Sequence, residues 1–162
     1  MQKITPFLWF HDQAEEAAAL YTSIFPGSRV LGVSRYGEAG PGTPGAVMTV
    51  NFELNGQEFV ALNGGPDFSF NEAISFQVHC EGQAEVDEYW ARLTDGGEEG
   101  PCGWLKDRYG VSWQIIPTRL MELIGDPDPA RAQCAMRAML GMKKIDVAAL
   151  EQAADAAPAT AG

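Results

Sequence analysis

The stretch ISFQVHCEGQAE, residues 74–85, repeats the pattern of ITPFLWFHDQAE, residues 4–15, without a gap. In each copy a short alternating run, typical of a β-strand, leads into the start of a helix. Asp12 and Glu15 have the spacing of a capping box, and the second copy holds a weaker version of it. The sequence therefore predicts two similar modules, each opened by a strand and a helix.

Further strand candidates follow each predicted helix. DRYGVSWQIIP (107–117) aligns with ELNGQEFVALN (53–63), glycine on glycine, and the Asn-Gly pair of the latter is typical of a two-residue hairpin turn. A repeat of about 70 residues present only twice favours a pseudo-symmetric domain over a solenoid. The predicted helices are 14–25 and 84–93, and the remaining predicted strands are 28–36, 46–54, 58–63 and 99–104.

Composition limits the classes of partner. The chain has 162 residues, 46% of them hydrophobic and 20% charged, as in a soluble globular domain. A net charge of −11 disfavours nucleic acid and anionic membranes as partners. The N-terminus does not resemble a signal peptide, so a cytoplasmic protein is expected. Cys80, Cys102 and Cys134 are odd in number and widely spaced, which predicts reduced thiols rather than a disulfide framework or a zinc motif.

The composition changes after Pro117. Asp128 followed by Pro129 predicts a helix start, and Asp146 predicts another. Ile145 and Leu150 have the spacing of a hydrophobic staple. The first of these helices carries an apolar stripe of Ala135, Met136, Met139 and Leu140, which we expect to pack against the body or a partner subunit. The predicted organisation is one domain at 1–118 (modules 2–64 and 73–117), a helical extension at 119–152 and a disordered tail at 153–162.

Several motifs together resemble a known superfamily. They are ITPFLWF, EEAAALYTSIFPGSRV, FVALNGGP, ISFQVHC and CGWLKDRYGVSWQIIP, within residues 2–145. The sequence is similar to the vicinal oxygen chelate (glyoxalase/bleomycin resistance/dioxygenase) superfamily, and within it to the PhnB-like branch labelled 3-demethylubiquinone-9 3-methyltransferase. The resemblance implies an α+β fold in which two βαβββ modules form a curled sheet around a cleft. It also implies a homodimer.

The resemblance also implies that the site lacks a metal. Metal-using members place ligands early in the first strand and on the last strand of each module. The corresponding residues here are Lys3 or Thr5, Val60, Ala73 or Ser75, and Gln114. Only Gln114 keeps a donor, and a neutral amide alone does not hold a divalent ion. Accordingly no metal and no cofactor are expected.

Strand parity gives the candidate ligand residues. Ser75, Gln77 and His79 point away from the apolar face of their strand, and the resemblance turns this second face toward the cleft. His79 is the titratable candidate for acid–base chemistry, with a structural histidine as the alternative. The set could equally pack between the modules. The predicted ligand-cleft residues are Phe7, Trp9, Val60, Leu62, Ser75, Gln77, His79, Ser112 and Gln114.

Two functions remain open from sequence. The first is metal-free binding of a small apolar or aromatic molecule in a dimer cleft. The second is an enzyme, either the methyltransferase of the family label or a glyoxalase-like metal-dependent lyase or isomerase. Methyl transfer would need a cofactor-binding turn, but the glycine-rich stretch ALNGGPDF (61–68) runs into Pro66 and no helix pattern. The Gly- and Pro-rich loop 37–45 is either a lid or a plain connection, and Cys102 is expected to be inert.

Overall fold

A computed structural model describes residues 2–159. The chain divides into two compact units between Phe70 and Asn71, and each unit contains one βαβββ repeat. This confirms the predicted α+β class with two modules and C-terminal helices. This division falls between the two predicted modules, and the C-terminal helices belong to the second unit.

The first unit is a four-stranded sheet with one helix. Its elements are β1 (Phe7–Phe10), α1 (Ala14–Ile24), β2 (Arg29–Arg35), β3 (Val47–Leu54) and β4 (Gln57–Asn63). The strand order is β1-β4-β3-β2, with β1 parallel to β4 and the other neighbours antiparallel. Asn55 and Gly56 join β3 to β4 at φ values of 47° and 86°. Positive φ at both positions is typical of the predicted hairpin turn.

The second unit repeats this topology. The elements of this repeat are β5 (Ser75–Cys80), α2 (Gln83–Thr94), β6 (Glu98–Glu99), β7 (Trp104–Lys106) and β8 (Ser112–Pro117). The order is β5-β8-β7-β6, again with the first and last strands parallel. The predicted strand at 99–104 is wrong. Pro101 lies in a turn that separates β6 from β7, and its carbonyl accepts a hydrogen bond from Trp104 N at 3.0 Å.

The register of the two sheets reproduces the sequence repeat. Phe7 lies opposite Val60 in the first sheet, and Gln77 lies opposite Gln114 in the second. The two ungapped alignments of the sequence place Phe7 with Gln77 and Val60 with Gln114. The repeat therefore extends from the order of the elements to the pairing of individual residues.

In each unit the helix covers one face of the sheet. Leu8 and Phe10 are buried and alternate with the less buried Phe7 and Trp9. In the second sheet Trp113 is buried and its ring lies 5.4 Å from that of Phe76. Because side chains alternate along a strand, the other face of each sheet is left for the remaining residues. The predicted ligand residues lie on these second faces.

The helix starts differ from the predicted capping boxes. Gln13, not Asp12, precedes α1, and the first helical amide, Ala14 N, donates to Asn63 Oδ1 at 2.8 Å. An acceptor from the end of β4 thus replaces the local cap. At α2, Glu85 Oε2 accepts from Glu81 N at 2.8 Å. This bond reaches one residue before the N-cap Gly82, whereas a capping box would use the amide of the N-cap itself.

Three helices follow the second sheet. They are α3 (Thr118–Ile124), α4 (Pro129–Leu140) and α5 (Val147–Asp155). The Asp128 and Asp146 carboxylates accept from Ala130 N and Ala149 N, which confirms both predicted caps. The sequence did not predict α3. Helix α5 continues to Asp155, so the predicted disordered tail is wrong for residues 153–155, and residues 160–162 lie outside the described part of the chain.

The helices share a core with the end of β8. The buried members are Ile116, Leu120, Leu123, Ala135, Ile145, Leu150 and Ala154. Ile145 and Leu150 both belong to it, as the predicted staple requires. On α4, Ala135 is buried and Met139 packs against the cluster, but Leu140 is exposed. The apolar stripe therefore packs against its own body in part. No helix within residues 2–159 is long and apolar enough to cross a bilayer.

Hydrogen bonds attach the C-terminal segment to the second sheet. The Gln83 side chain donates from Nε2 to Ile145 O at 3.0 Å and accepts from Val147 N at 2.8 Å. The backbone amides of Cys102 and Gly103 donate to Met142 O and Lys143 O, each at 2.8 Å. The turn between β6 and β7 is therefore held by the segment that leads into α5.

A buried carboxylate builds the turn between β7 and β8. Asp107 is only 3% exposed. Its Oδ1 accepts from Tyr109 N at 2.9 Å and from Val111 N at 3.1 Å, and its Oδ2 accepts from Trp113 Nε1 at 2.9 Å. A carboxylate that accepts several N–H groups satisfies donors that would otherwise be buried unpaired.

We expect Asp107→Ala to lower the free energy of unfolding by about 3 kcal/mol, because it leaves buried donors without an acceptor. Asp95→Ala is the matched control: Asp95 pairs with Arg108 of the same turn at 2.8 Å, but its side chain is mostly exposed. Asp95→Ala should lower the free energy of unfolding by much less, since exposed ion pairs contribute little to stability. Urea denaturation measures both. Equal losses would show that the turn does not depend on Asp107.

Candidate functional site

The uncovered face of the first sheet carries an apolar group. Phe7, Trp9, Val60 and Leu62 lie on it as two register pairs, Phe7 with Val60 and Trp9 with Leu62. Phe7 is 59% exposed, and the other three are half-buried. The four predicted ligand residues of the first module thus share one face. We call them the aromatic face.

Trp9 also supports the backbone beside it. Its Nε1 donates to Gly65 O at 2.9 Å, and its ring meets Phe68 edge-on with centroids 4.9 Å apart. A Cβ at Gly64 would overlap the indole. Removal of this ring would therefore disturb the chain after β4, so Phe7 is the better residue with which to test ligand contact.

The uncovered face of the second sheet is polar. Gln114 Nε2 donates to Ser75 Oγ at 2.8 Å, and Gln114 Oε1 accepts from Gln77 Nε2 at a longer 3.5 Å. Ser112 lies opposite Ser75 in the register. The mid-strand amide of Gln114 therefore connects two residues of the neighbouring strand. We call Ser75, Gln77, Ser112 and Gln114 the polar stripe.

The remaining candidate, His79, lies at the end of this face. It is exposed, and its register partner is Ile116, a member of the C-terminal core cluster. The residue beside the imidazole in the sheet is thus an apolar one.

Sequence reasoning missed two residues of the polar face. Trp104 lies opposite Gln114, and Lys106 lies opposite Ser112, on the neighbouring strand β7. A turn interrupts the predicted 99–104 strand, so the sequence did not show which face of the sheet these two residues occupy. Lys106 Nζ contacts Glu72 Oε1 at 3.0 Å and Glu98 Oε2 at 2.9 Å. The pKa of Lys106 is raised by Glu98 first and then by Glu72, so the charged ammonium form is favoured.

Comparison with known proteins assigns the family. The sequence model of the 3-demethylubiquinone-9 3-methyltransferase family matches residues 2–116. A PhnB protein from Bacillus cereus is 41% identical over 72% of this chain and 100% of its own, with a TM-score of 0.65. The chain belongs to this PhnB-like family of the vicinal oxygen chelate superfamily. A search of curated proteins gave no significant match.

Two more distant structures share the fold. A protein from Pseudomonas aeruginosa is 19% identical over 72% of this chain and 98% of its own, with a TM-score of 0.59. The fosfomycin resistance protein FosX from Listeria monocytogenes is 19% identical over 75% of this chain and 94% of its own, with a TM-score of 0.51. At this identity the likeness concerns the fold alone.

The residues do not fit the metal implied by the superfamily. Among residues 2–159 there is no group of three or more His, Cys, Asp or Glu side chains placed to hold an ion. Val60 is apolar, and the amide of Gln114 already donates to Ser75. An amide used in this way within the sheet lacks both the charge and the companion donors of a metal site.

A methyl-donor cofactor fits no better. Cofactor-binding glycine turns present free backbone amides at the start of a helix. Here Gly64 N and Gly65 N donate to Phe10 O and His11 O, and the Trp9 indole packs on Gly64. The next element is strand β5 rather than a helix. The glycines after β4 serve packing of the first sheet.

The loop 37–45 is anchored around Tyr36. Tyr36 Oη donates to Asn63 O at 2.6 Å. A Cβ at Gly42 would overlap the Tyr36 ring, and Gly45 N donates to Tyr36 O at 2.8 Å. These contacts favour a fixed connection over a lid, because glycines that allow close packing on a ring hold the loop in place.

The three cysteines are free thiols in different surroundings. Cys80 is buried, whereas Cys102 and Cys134 are half-buried. Burial raises the pKa of the Cys80 thiol from its ordinary value of 9.0 to about 12, and the charge of Glu85 adds to the shift. Cys80 is thus a core residue and not a nucleophile.

The raised pKa of Cys80 predicts an alkaline loss of stability. Between about pH 9 and about pH 12 the folded state keeps a proton that the unfolded state releases, so this contribution to stability falls as the pH rises. We expect the free energy of unfolding of the native protein to fall more steeply with pH in this window than that of Cys80→Ala. Denaturation at several pH values measures the slopes. Parallel slopes would mean that the thiol titrates normally in the folded protein.

Proposed function

We propose that the protein binds a small apolar or aromatic molecule without a metal, and that the aromatic face is the principal contact. The carrying observation is the exposure of Phe7, at 59%, beside the half-buried Trp9 in a water-soluble sheet. Exposed aromatic side chains grouped on one face are typical of ligand-binding surfaces.

Methyl transfer, the activity in the family's description, is the competing proposal. It would require a cradle for an adenosyl cofactor, and the glycines after β4 are taken up by Trp9 and by backbone hydrogen bonds. A glyoxalase-like lyase or isomerase would require a metal, for which the equivalent residues are unsuited. Binding without chemistry makes neither demand.

We expect Phe7→Ala to weaken binding of the uncharged aromatic dye N-phenyl-1-naphthylamine by about fivefold, since one aromatic contact contributes about 1 kcal/mol. Leu140→Ala is the control, because Leu140 is similarly exposed, at 62%, but lies on α4. Fluorescence titration gives both affinities, and thermal denaturation checks that the variants are folded. A chelator should leave the affinity unchanged. Equal affinities of both variants, or loss of binding with chelator, would contradict the proposal.

We also propose that the protein is a cytoplasmic homodimer. The edge strand β2 supports the proposal: all seven of its residues are exposed, among them Val30, Leu31 and Val33. An exposed apolar edge strand is a site at which a second chain adds.

Sedimentation at micromolar concentration should therefore give about twice the 17.5 kDa of one chain. Val33→Lys is expected to shift the protein toward the monomer, because a charged side chain on an edge strand opposes pairing. A native protein that sediments as a monomer would overturn the proposal.

A further inference from the structure

The second unit contains an open pocket of about 540 Å³, and of its lining only Ser112 is a predicted ligand residue. It lies beside the polar stripe and shares Ser112 with it. The residues that bear on its chemistry are Glu72, Glu98, Glu99, Trp104, Lys106 and Ser112. All of them belong to the second unit.

The charge in this pocket is negative. Glu72 and Glu98 face one ammonium, that of Lys106, and share it at 3.0 and 2.9 Å. The third lining carboxylate, Glu99, already accepts a hydrogen bond from Trp90 Nε1 at 2.8 Å. A ligand anion would have to compete with both glutamates for Lys106. The net charge of −11 on the whole chain adds a long-range field of the same sign. The pocket therefore favours a cation.

Ser112 supplies a second, independent feature. It is 2% exposed, and its Oγ has no hydrogen-bond partner among residues 2–159. The hydroxyl of its register neighbour Ser75 already accepts from Gln114. Because buried hydroxyls are nearly always hydrogen-bonded, an unsatisfied one in a pocket wall indicates the place of a ligand's polar group.

Trp104 gives the pocket an apolar surface. Its half-buried indole lies on the strand next to Ser112 and in the same wall. An aromatic face attracts an organic cation and also contacts an apolar ligand body.

We propose that this pocket binds a small organic amine with an aromatic or apolar body. The ammonium group lies beside Glu72 and Glu98 and donates to Ser112 Oγ, while the body of the ligand contacts Trp104. The inference rests on the proposed binding function, because Ser112 belongs to the predicted ligand residues. It adds a cationic class of ligand for the second unit.

The native thiols provide the assay. Cys102 lies in the pocket wall, and Cys134 lies on α4 outside it; both are half-buried. N-Ethylmaleimide labelling followed by mass spectrometry gives the rate at each thiol, with Cys134 as internal control. The probes are phenethylamine, 2-phenylethanol and 3-phenylpropionate, which share a phenyl group and differ in charge.

Phenethylamine is expected to slow labelling of Cys102 alone, at a concentration well below that needed for the alcohol or the acid. Thermal shift with the same probes gives a readout that does not depend on the thiol. Equal protection by the amine and the alcohol would overturn the amine inference. In that case binding of N-phenyl-1-naphthylamine would still uphold the proposed function, whereas failure of every probe and of the dye would remove both.

Variants of opposite charge test the assignment further. Glu98→Gln should weaken phenethylamine binding about threefold. Lys106→Gln should strengthen the binding, since loss of the ammonium frees two carboxylates. Glu88→Gln, on the exposed side of α2, removes the same charge outside the pocket and should have no effect. Weakening by Lys106→Gln, or equal effects of the two glutamate variants, would contradict the proposal.

Ser112→Ala separates binding from folding. It removes a hydroxyl that has no partner in the described part of the chain, so stability should be kept or raised. Phenethylamine binding should weaken about fivefold, the value of one hydrogen bond. Unchanged binding by Ser112→Ala would overturn the role of the hydroxyl and, with it, the proposed pose of the amine.

Discussion

The buried carboxylate of Asp107 determines how the second sheet presents its side chains. It accepts from two backbone amides of the turn and from the Trp113 indole, so it fixes both the turn and the direction of the first side chains of β8. With Trp113 turned toward the helix, strand alternation sends Ser112 and Gln114 to the other face. A slip of one residue would exchange the two faces and bury the amide in the core.

Much of this arrangement could be predicted from the sequence because the repeat carries the information twice. Two ungapped alignments placed Phe7 with Gln77 and Val60 with Gln114, and the observed registers of the two sheets agree with these equivalences. Local turn chemistry gave the Asn55–Gly56 hairpin and the caps at Asp128 and Asp146. These features depend on neighbours in sequence or on alternation, which a single chain displays.

The features that sequence did not predict depend on distant partners. The acceptor at the start of α1 comes from Asn63, far along the chain. The short strands β6 and β7 hold five residues in all, too few to show an alternating pattern in the sequence. For this reason Trp104 and Lys106 were not predicted as members of the polar face. The unsatisfied hydroxyl of Ser112 is a property of the folded environment. The candidate residues were thus identified by parity, but their chemistry required the contacts.

The C-terminal helices make the two repeats unequal at one equivalent position. Leu62 and Ile116 occupy the same place in their sheets, opposite Trp9 and His79. Ile116 is buried with the helices, whereas Leu62 is half-exposed on the aromatic face. A substitution at Ile116 must therefore be accommodated by the helical core, whereas the equivalent substitution at Leu62 meets solvent on one side.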